Sequence, residues 1–243
     1  GITLTNPQIT QPPVININST QTNISCFGAD NGSVTLAVTG GSPPYTYQWS
    51  PGGSTLPNLM GLEPGIYNLT VTDNHACTET YFVNIVEPSV LTASIVYHQN
   101  VGCFGGNNGS ATVTPSGGTP PFTYLWSPTA STSQTALNLL AGTNSVFIVD
   151  HNGCSTSASI FLTQPSPLTL TSGYSIPTCY NSSDGVGWVT ASGGTPPFQY
   201  VWSPAGGMDD TATALHAGAY NITVTDQNSC QAFLPLIIPQ PSA

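Results

Sequence analysis

Hydrophobic and polar residues alternate in short runs along the chain. In the run YTYQWS, Tyr45, Tyr47 and Trp49 share one side and Thr46 and Gln48 the other. GSVTLAVTGG and IYNLTVTD keep a similar two-residue period. These runs are rich in β-branched and aromatic residues and are separated by Gly, Pro, Asn and Asp, the composition of strands and turns. No segment sustains a helical period over the length a helix needs, so the pattern predicts an all-β chain.

The pattern is also written three times. TGGSPPYTYQWSP from Thr39 returns as SGGTPPFTYLWSP from Ser116 and as SGGTPPFQYVWSP from Ser192. Linker prolines at Pro12, Pro88, Pro165 and Pro241 recur with periods of 76, 77 and 76. Such self-similarity marks a tandem array. It predicts three β-sandwich modules over residues 13–88, 89–165 and 166–243. Residues 1–12 carry the phase of a module's last strand, and they read either as the end of a preceding repeat or as a strand donated to a neighbouring subunit.

Within each module the double glycine permits an unusual bend, and the double proline sets an extended approach into the next strand. The corner then delivers large rings to one face. Tyr47, Tyr124 and Tyr200, and Trp49, Trp126 and Trp202, keep identical spacing and are expected in the core; a carbohydrate-stacking face is the alternative. Tyr67 and Tyr220 follow a glycine turn in a pattern that resembles the tyrosine corner of Ig-like sandwiches. The middle repeat has Asn144 at that phase.

Six cysteines fall as Cys26 and Cys77, Cys103 and Cys154, and Cys179 and Cys230, each pair 51 residues apart. Metal sites place cysteines much closer together, so one internal disulfide per module is expected. Closing a loop of about 50 residues contributes about 4 kcal/mol on the chain-entropy model. Disulfides imply an oxidising, extracellular compartment.

Composition sharpens this. The chain has ten Asp and Glu, four His and no Lys or Arg, for a formal charge of −10. Without cations it has nothing to neutralise phosphates, which argues against nucleic-acid partners and attachment to anionic lipid. No apolar run is long enough to predict membrane insertion.

Taken in order, CFGADNGSVTLAVTGGSPPYTYQWSPG and LEPGIYNLTVTDNHAC resemble the SprB repeat of large bacterial cell-surface proteins, and the likeness recurs three times. The third repeat departs at its start, with Cys179-Tyr180-Asn181 in place of Cys-Phe-Gly. The corner also resembles polycystic-kidney-disease-type (PKD-like) Ig-like domains. The resemblance implies a secreted protein of the adhesin or surface-filament kind.

Candidate chemistry is sparse. His75, His98, His151 and His216 share no repeat phase, and no nucleophile elbow, HExxH or phosphate loop is present, so no enzymatic activity and no organic cofactor are expected. If each module closes its own disulfide, Asp73 approaches Asp30, Asp150 approaches Asn107 and Asn108, and Asp226 approaches Asp184. Such oxygen clusters would suit calcium, with plain turn formation as the alternative. N-linked acceptor patterns occur at Asn18, Asn23, Asn31, Asn68, Asn108, Asn181 and Asn221, and Thr211 lies in an Asp-Thr-Ala motif that resembles a bacterial O-linked acceptor.

Two functional expectations follow. One is a structural section of a surface stalk or extracellular fibril, with neighbouring copies or further repeats as partners. The other is a glycan- or surface-binding adhesin using the loops after the three tryptophans, where the copies diverge most.

Overall fold

A computed structural model describes residues 11–242, and every regular element in it is a strand. The expected strand at residues 1–12 falls almost wholly outside the described residues. The first repeat has β1 (Asn16–Thr22), β2 (Gly32–Thr39), β3 (Thr46–Ser50), β4 (Leu59–Leu62), β5 (Gly65–Thr72) and β6 (Thr78–Ile85). The second has β7 (Thr92–Gln99), β8 (Gly109–Ser116), β9 (Thr123–Ser127), β10 (Thr135–Leu139), β11 (Gly142–Val149) and β12 (Ser155–Leu162). The third has β13 (Thr169–Ser175), β14 (Gly185–Ser192), β15 (Gln199–Ser203), β16 (Thr211–Leu215), β17 (Gly218–Thr225) and β18 (Gln231–Ile238).

Each repeat contributes two three-stranded sheets, ordered β1-β2-β4 and β3-β5-β6, then β10-β8-β7 and β12-β11-β9, then β13-β14-β16 and β15-β17-β18. The double-glycine corner is where the chain leaves one sheet for the other. The fold is therefore an Ig-like sandwich architecture. By packing, the chain forms two compact units. One holds the residues up to Thr92 with Pro115–Thr123 and Ile148–Thr156; the other holds Ala93–Thr114, Tyr124–Phe147 and the residues from Ser157.

In the first unit, Val34 and Leu62 from one sheet meet Trp49, Leu69, Val71 and Ile85 from the other. In the second unit, Val189, Ala212 and Leu215 face Trp202, Ile222 and Val224 in the same way. Trp49, Trp126 and Trp202 are all buried. Tyr47, Tyr124 and Tyr200 are half-buried at the margin of the core, Tyr67 is half-buried, and Tyr220 is buried. The buried rings of Trp49, Trp126 and Trp202 offer no face for carbohydrate stacking.

The tyrosine-corner expectation has a direct structural counterpart. The hydroxyls of Tyr67 and Tyr220 donate 3.0 Å bonds to the carbonyls of Glu63 and His216, four residues upstream. Asn144, fully buried, substitutes by donating its amide to the carbonyl of Leu140 at 3.0 Å, also four residues upstream.

The corner itself does more than bend. Gly40, Gly117 and Gly193 have φ of 76°, 75° and 77°. A β-carbon on any of them would collide with the carbonyl of Val14, Val90 or Pro167, because the incoming segment crosses directly over the glycine. The prolines also differ from the expected extended approach: Pro43-Pro44, Pro120-Pro121 and Pro196-Pro197 are joined by cis peptides.

Candidate functional site

Each repeat has two poles, defined by the ends of its last strand. At one pole lies the loop holding the first cysteine. Asn31 shapes it, accepting from the Ser25 amide at 3.1 Å and donating to the Ser25 hydroxyl at 2.6 Å. The Gly28 amide donates to Glu87 at 2.8 Å, and the Ile24 amide to the carbonyl of Val86 at 3.0 Å, which places Cys26 beyond the end of β6. The second repeat repeats this with Asn108 on Gly102 and Gln164 on Gly105. In the third, Asp184 takes the role of Asn31 and binds Thr178 through both its amide and its hydroxyl. The hydroxyls of Ser182 and Thr178 hold the Asp184 carboxyl well below the usual carboxylate range. Asn181 explains the departure from Cys-Phe-Gly: its φ of 62° matches 73° at Gly28 and 70° at Gly105, and asparagine tolerates that region.

At the other pole lies the turn before the last strand. Asp73 is buried there and accepts from the amides of Ser42, His75 and Cys77, each at 2.9 Å. Asp150 does the same for Thr119, Asn152 and Cys154, and Asp226 for Thr195, Asn228 and Cys230. One carboxylate thus closes the turn and ties it to the double-glycine corner.

These positions overturn the expected cysteine pairing. Cys77 immediately precedes β6 and Cys26 lies past its far end. An eight-residue strand spans about 26 Å, whereas a disulfide needs Cα atoms within about 7 Å. Cys26–Cys77 is therefore out of reach, as are Cys103–Cys154 and Cys179–Cys230 for the same reason. The disulfides observed are Cys26–Cys154 and Cys103–Cys230, each with Cα atoms 5.7 Å apart. The first cysteine of one repeat is bonded to the second cysteine of the next. Cys77 and Cys179 are unpaired and exposed.

The two bonds stand in identical settings. Asn152 donates to the carbonyl of Ser25 at 2.9 Å and to the Thr119 hydroxyl at 3.1 Å. Asn228 donates to the carbonyl of Gly102 at 2.8 Å and to the Thr195 hydroxyl at 3.1 Å. The joint of the first and second repeats lies wholly within the first compact unit, and that of the second and third wholly within the second. Motif and spacing do not single out Asn152 and Asn228. Their one signal in the sequence is a shared phase two residues before the second cysteine, where the first repeat has His75.

The calcium expectation fails with the pairing that motivated it. Asp30 and Asp73 belong to opposite poles, and so do Asp184 and Asp226. The carboxylates of Asp73, Asp150 and Asp226 are committed to backbone amides. Among the described residues no three His, Cys, Asp or Glu side chains converge as a metal set. Of the glycosylation candidates, Asn18, Asn23, Asn31, Asn68, Asn108, Asn181, Asn221 and Thr211 are all exposed. Asn23, Asn31 and Asn108, however, hold backbone amides through their side chains.

The loops after the tryptophans are pinned at their base. The indoles of Trp49, Trp126 and Trp202 donate to the carbonyls of Leu56, Ser133 and Asp209, each at 2.9 Å. Leu56, Met60, Leu137 and Met208 project from these segments into solvent.

The family model of the SprB repeat matches residues 18–54, 98–131 and 177–207, once in each repeat. No curated protein matches the chain. Among solved structures, three N-terminal domains of the bacteriophage RB49 highly immunogenic outer capsid protein share 15% identity at a TM-score of 0.45, over 95% of this chain and 100% of that one. The N-terminal eight Ig domains of Down syndrome cell adhesion molecule share 10% identity at 0.34, over 95% and 45%. Domains 1–6 of surface layer protein SbsC share 11% identity at 0.28, over 96% and 41%.

Proposed function

This chain carries three SprB repeats, and on that premise we propose that it is a non-enzymatic structural protein of the cell surface or extracellular space, a section of a stalk or fibril. The observation that carries the reading is the duplicated joint: the same disulfide and the same asparagine-to-carbonyl bond link the first repeat to the second and the second to the third. A chain that invests its cysteines between repeats rather than within them is built to keep neighbours attached. Disulfides of this kind persist in an oxidising compartment. A surface without Lys or Arg also gives no cleavage site to proteases that cut after those residues. Asn68, Asn221 and Thr211, exposed and free of backbone-amide duties, are the proposed glycan positions.

The second reading is an adhesin. It is favoured by the exposed apolar side chains on the tryptophan-pinned loops, and by Trp188, which is 44% exposed and lies across Gly173 on the sheet of the third repeat. Electron microscopy of the native material tests the two. Ordered filaments formed without added ligand support the structural reading. Dispersed chains that bind a glycan array, and lose binding when residues 51–61, 128–138 and 204–214 are shortened, support the adhesin.

A further inference from the structure

The joint is made twice in this chain, and one unused half of it remains at each side. A joint needs a first-cysteine pole, as at Cys26 and Cys103, and a second-cysteine pole, as at Cys154 and Cys230. Cys179 belongs to the first kind and Cys77 to the second. Both are exposed thiols, whereas the four bonded cysteines are half-buried. Neither is simply an isolated cysteine, because residues at the same repeat positions are bonded elsewhere in the same molecule.

The surroundings are equally prepared. At the made joint a recess is lined by Cys103 and Phe104 of one repeat and by Pro167, Leu168, Cys230 and Gln231 of the next. Val14, Ile15, Cys77 and Thr78 hold the latter four positions in the first repeat, and with Gln11 and Pro12 of the segment before it they line a recess of about 210 Å³. On the other side, Asp184 and the left-handed Asn181 hold Thr178–Asn181 in the form of the loops at Cys26 and Cys103. Tyr180 there is 59% exposed, as Phe104 is 56% exposed at its joint.

We propose that Cys179 of one copy and Cys77 of a second copy form an intermolecular disulfide that reproduces the internal joint and links chains head to tail. Two different surfaces are used, so the contact is heterologous, and a dimer still carries one Cys77 and one Cys179 for further addition. The oxidant is a low-molecular-weight disulfide. One protein thiolate attacks it, forming a mixed disulfide and releasing one small thiol. The partner thiolate then attacks the protein sulfur of that mixed disulfide and expels the second, so two protein thiols and one small disulfide become one protein disulfide and two small thiols. The inference rests on the extracellular reading above.

The test uses the full chain oxidised with glutathione disulfide, followed by non-reducing electrophoresis and peptic mapping. The expected result is a ladder in steps of 25.1 kDa that collapses on reduction, with a Cys77–Cys179 peptide pair. Cys77→Ser and Cys179→Ser are each expected to stay monomeric alone and to form a dimer when mixed. Equal dimerisation of either variant alone, thiols that persist at Cys77 and Cys179, or a Cys26–Cys77 peptide pair would overturn the proposal. So would native material in which Cys77 is bonded to a cysteine outside this sequence, which would make a flanking repeat the partner. Should a variant misfold, the peptide map of the unaltered chain decides alone. The same map separates the two levels of argument: native protein lacking Cys26–Cys154 and Cys103–Cys230 defeats the extracellular reading, whereas native protein with both bonds and free Cys77 defeats only the inference.

Discussion

Asn152 donates a hydrogen bond of 2.9 Å to the carbonyl of Ser25, 127 residues earlier and adjacent to the half-cystine that binds Cys154. The covalent and polar links reinforce one another: the amide fixes the loop that presents Cys26, and the sulfur bridge holds the amide at its acceptor. Replacing Cys154 by Ser should lower the unfolding free energy by about 2–4 kcal/mol, the usual contribution of a disulfide that closes a long loop. Denaturant melts of the variant and the parent check it. An unchanged midpoint would show that the bond carries no load in stability.

Gly40→Ala places a methyl group at φ 76° and against the carbonyl of Val14. A loss of about 2 kcal/mol or more is expected from backbone strain alone, before the collision is counted. Gly218→Ala, where a β-carbon would meet nothing within 4 Å, is the control and should fall within about 0.5 kcal/mol of the parent. Equal effects at the two glycines would contradict the crossing seen at the corner.

Acid should loosen the turn at Cys77. The Cys77 amide foremost, with those of Ser42 and His75, holds the Asp73 carboxyl below its ordinary value of 3.8. A lowered folded-state value means that the stabilisation is complete above the unfolded value of about 3.9 and disappears as pH falls through the folded one. The amide resonance of Cys77 should therefore titrate with an inflection below 3.8, and Asp73→Asn should abolish it. An inflection at or above that value would refute the assignment.

Tyr220→Phe removes one hydrogen bond, to the carbonyl of His216, and keeps the ring. About 1 kcal/mol of destabilisation is expected. Thermal unfolding followed through tryptophan fluorescence reads it, and a neutral result would mean that water replaces the hydroxyl.

The elements that can be read in sequence are those whose cause is local. Trp49, Trp126 and Trp202 announce themselves through strand alternation, and the tyrosine corner through the glycine turn before Tyr67 and Tyr220. The corner glycines are visible as residues needing freedom, though the reason, a carbonyl passing over them, belongs to the tertiary fold. The cysteine pairing is not legible, because a strict repeat makes it ambiguous. Cys26 is equally in phase with Cys77 and with Cys154, so spacing alone cannot choose. The choice is made by the length of β6, which carries Cys77 to the pole opposite Cys26. The calcium expectation inherits the same error, since it depends on Asp73 lying beside Asp30. Asn144 shows a gentler limit: a side chain unlike tyrosine reaches the same upstream carbonyl position from inside the core.

The two bridges overlap along the chain, Cys26 to Cys154 and Cys103 to Cys230. Every peptide bond between Cys26 and Cys230 is therefore enclosed by at least one of them. A protease that severs the backbone once anywhere in that interval, at Pro88 and Pro165 included, frees no fragment. In this respect the molecule resembles a lapped splice more than a string of beads: a nick changes the route by which tension is carried and leaves the span unbroken.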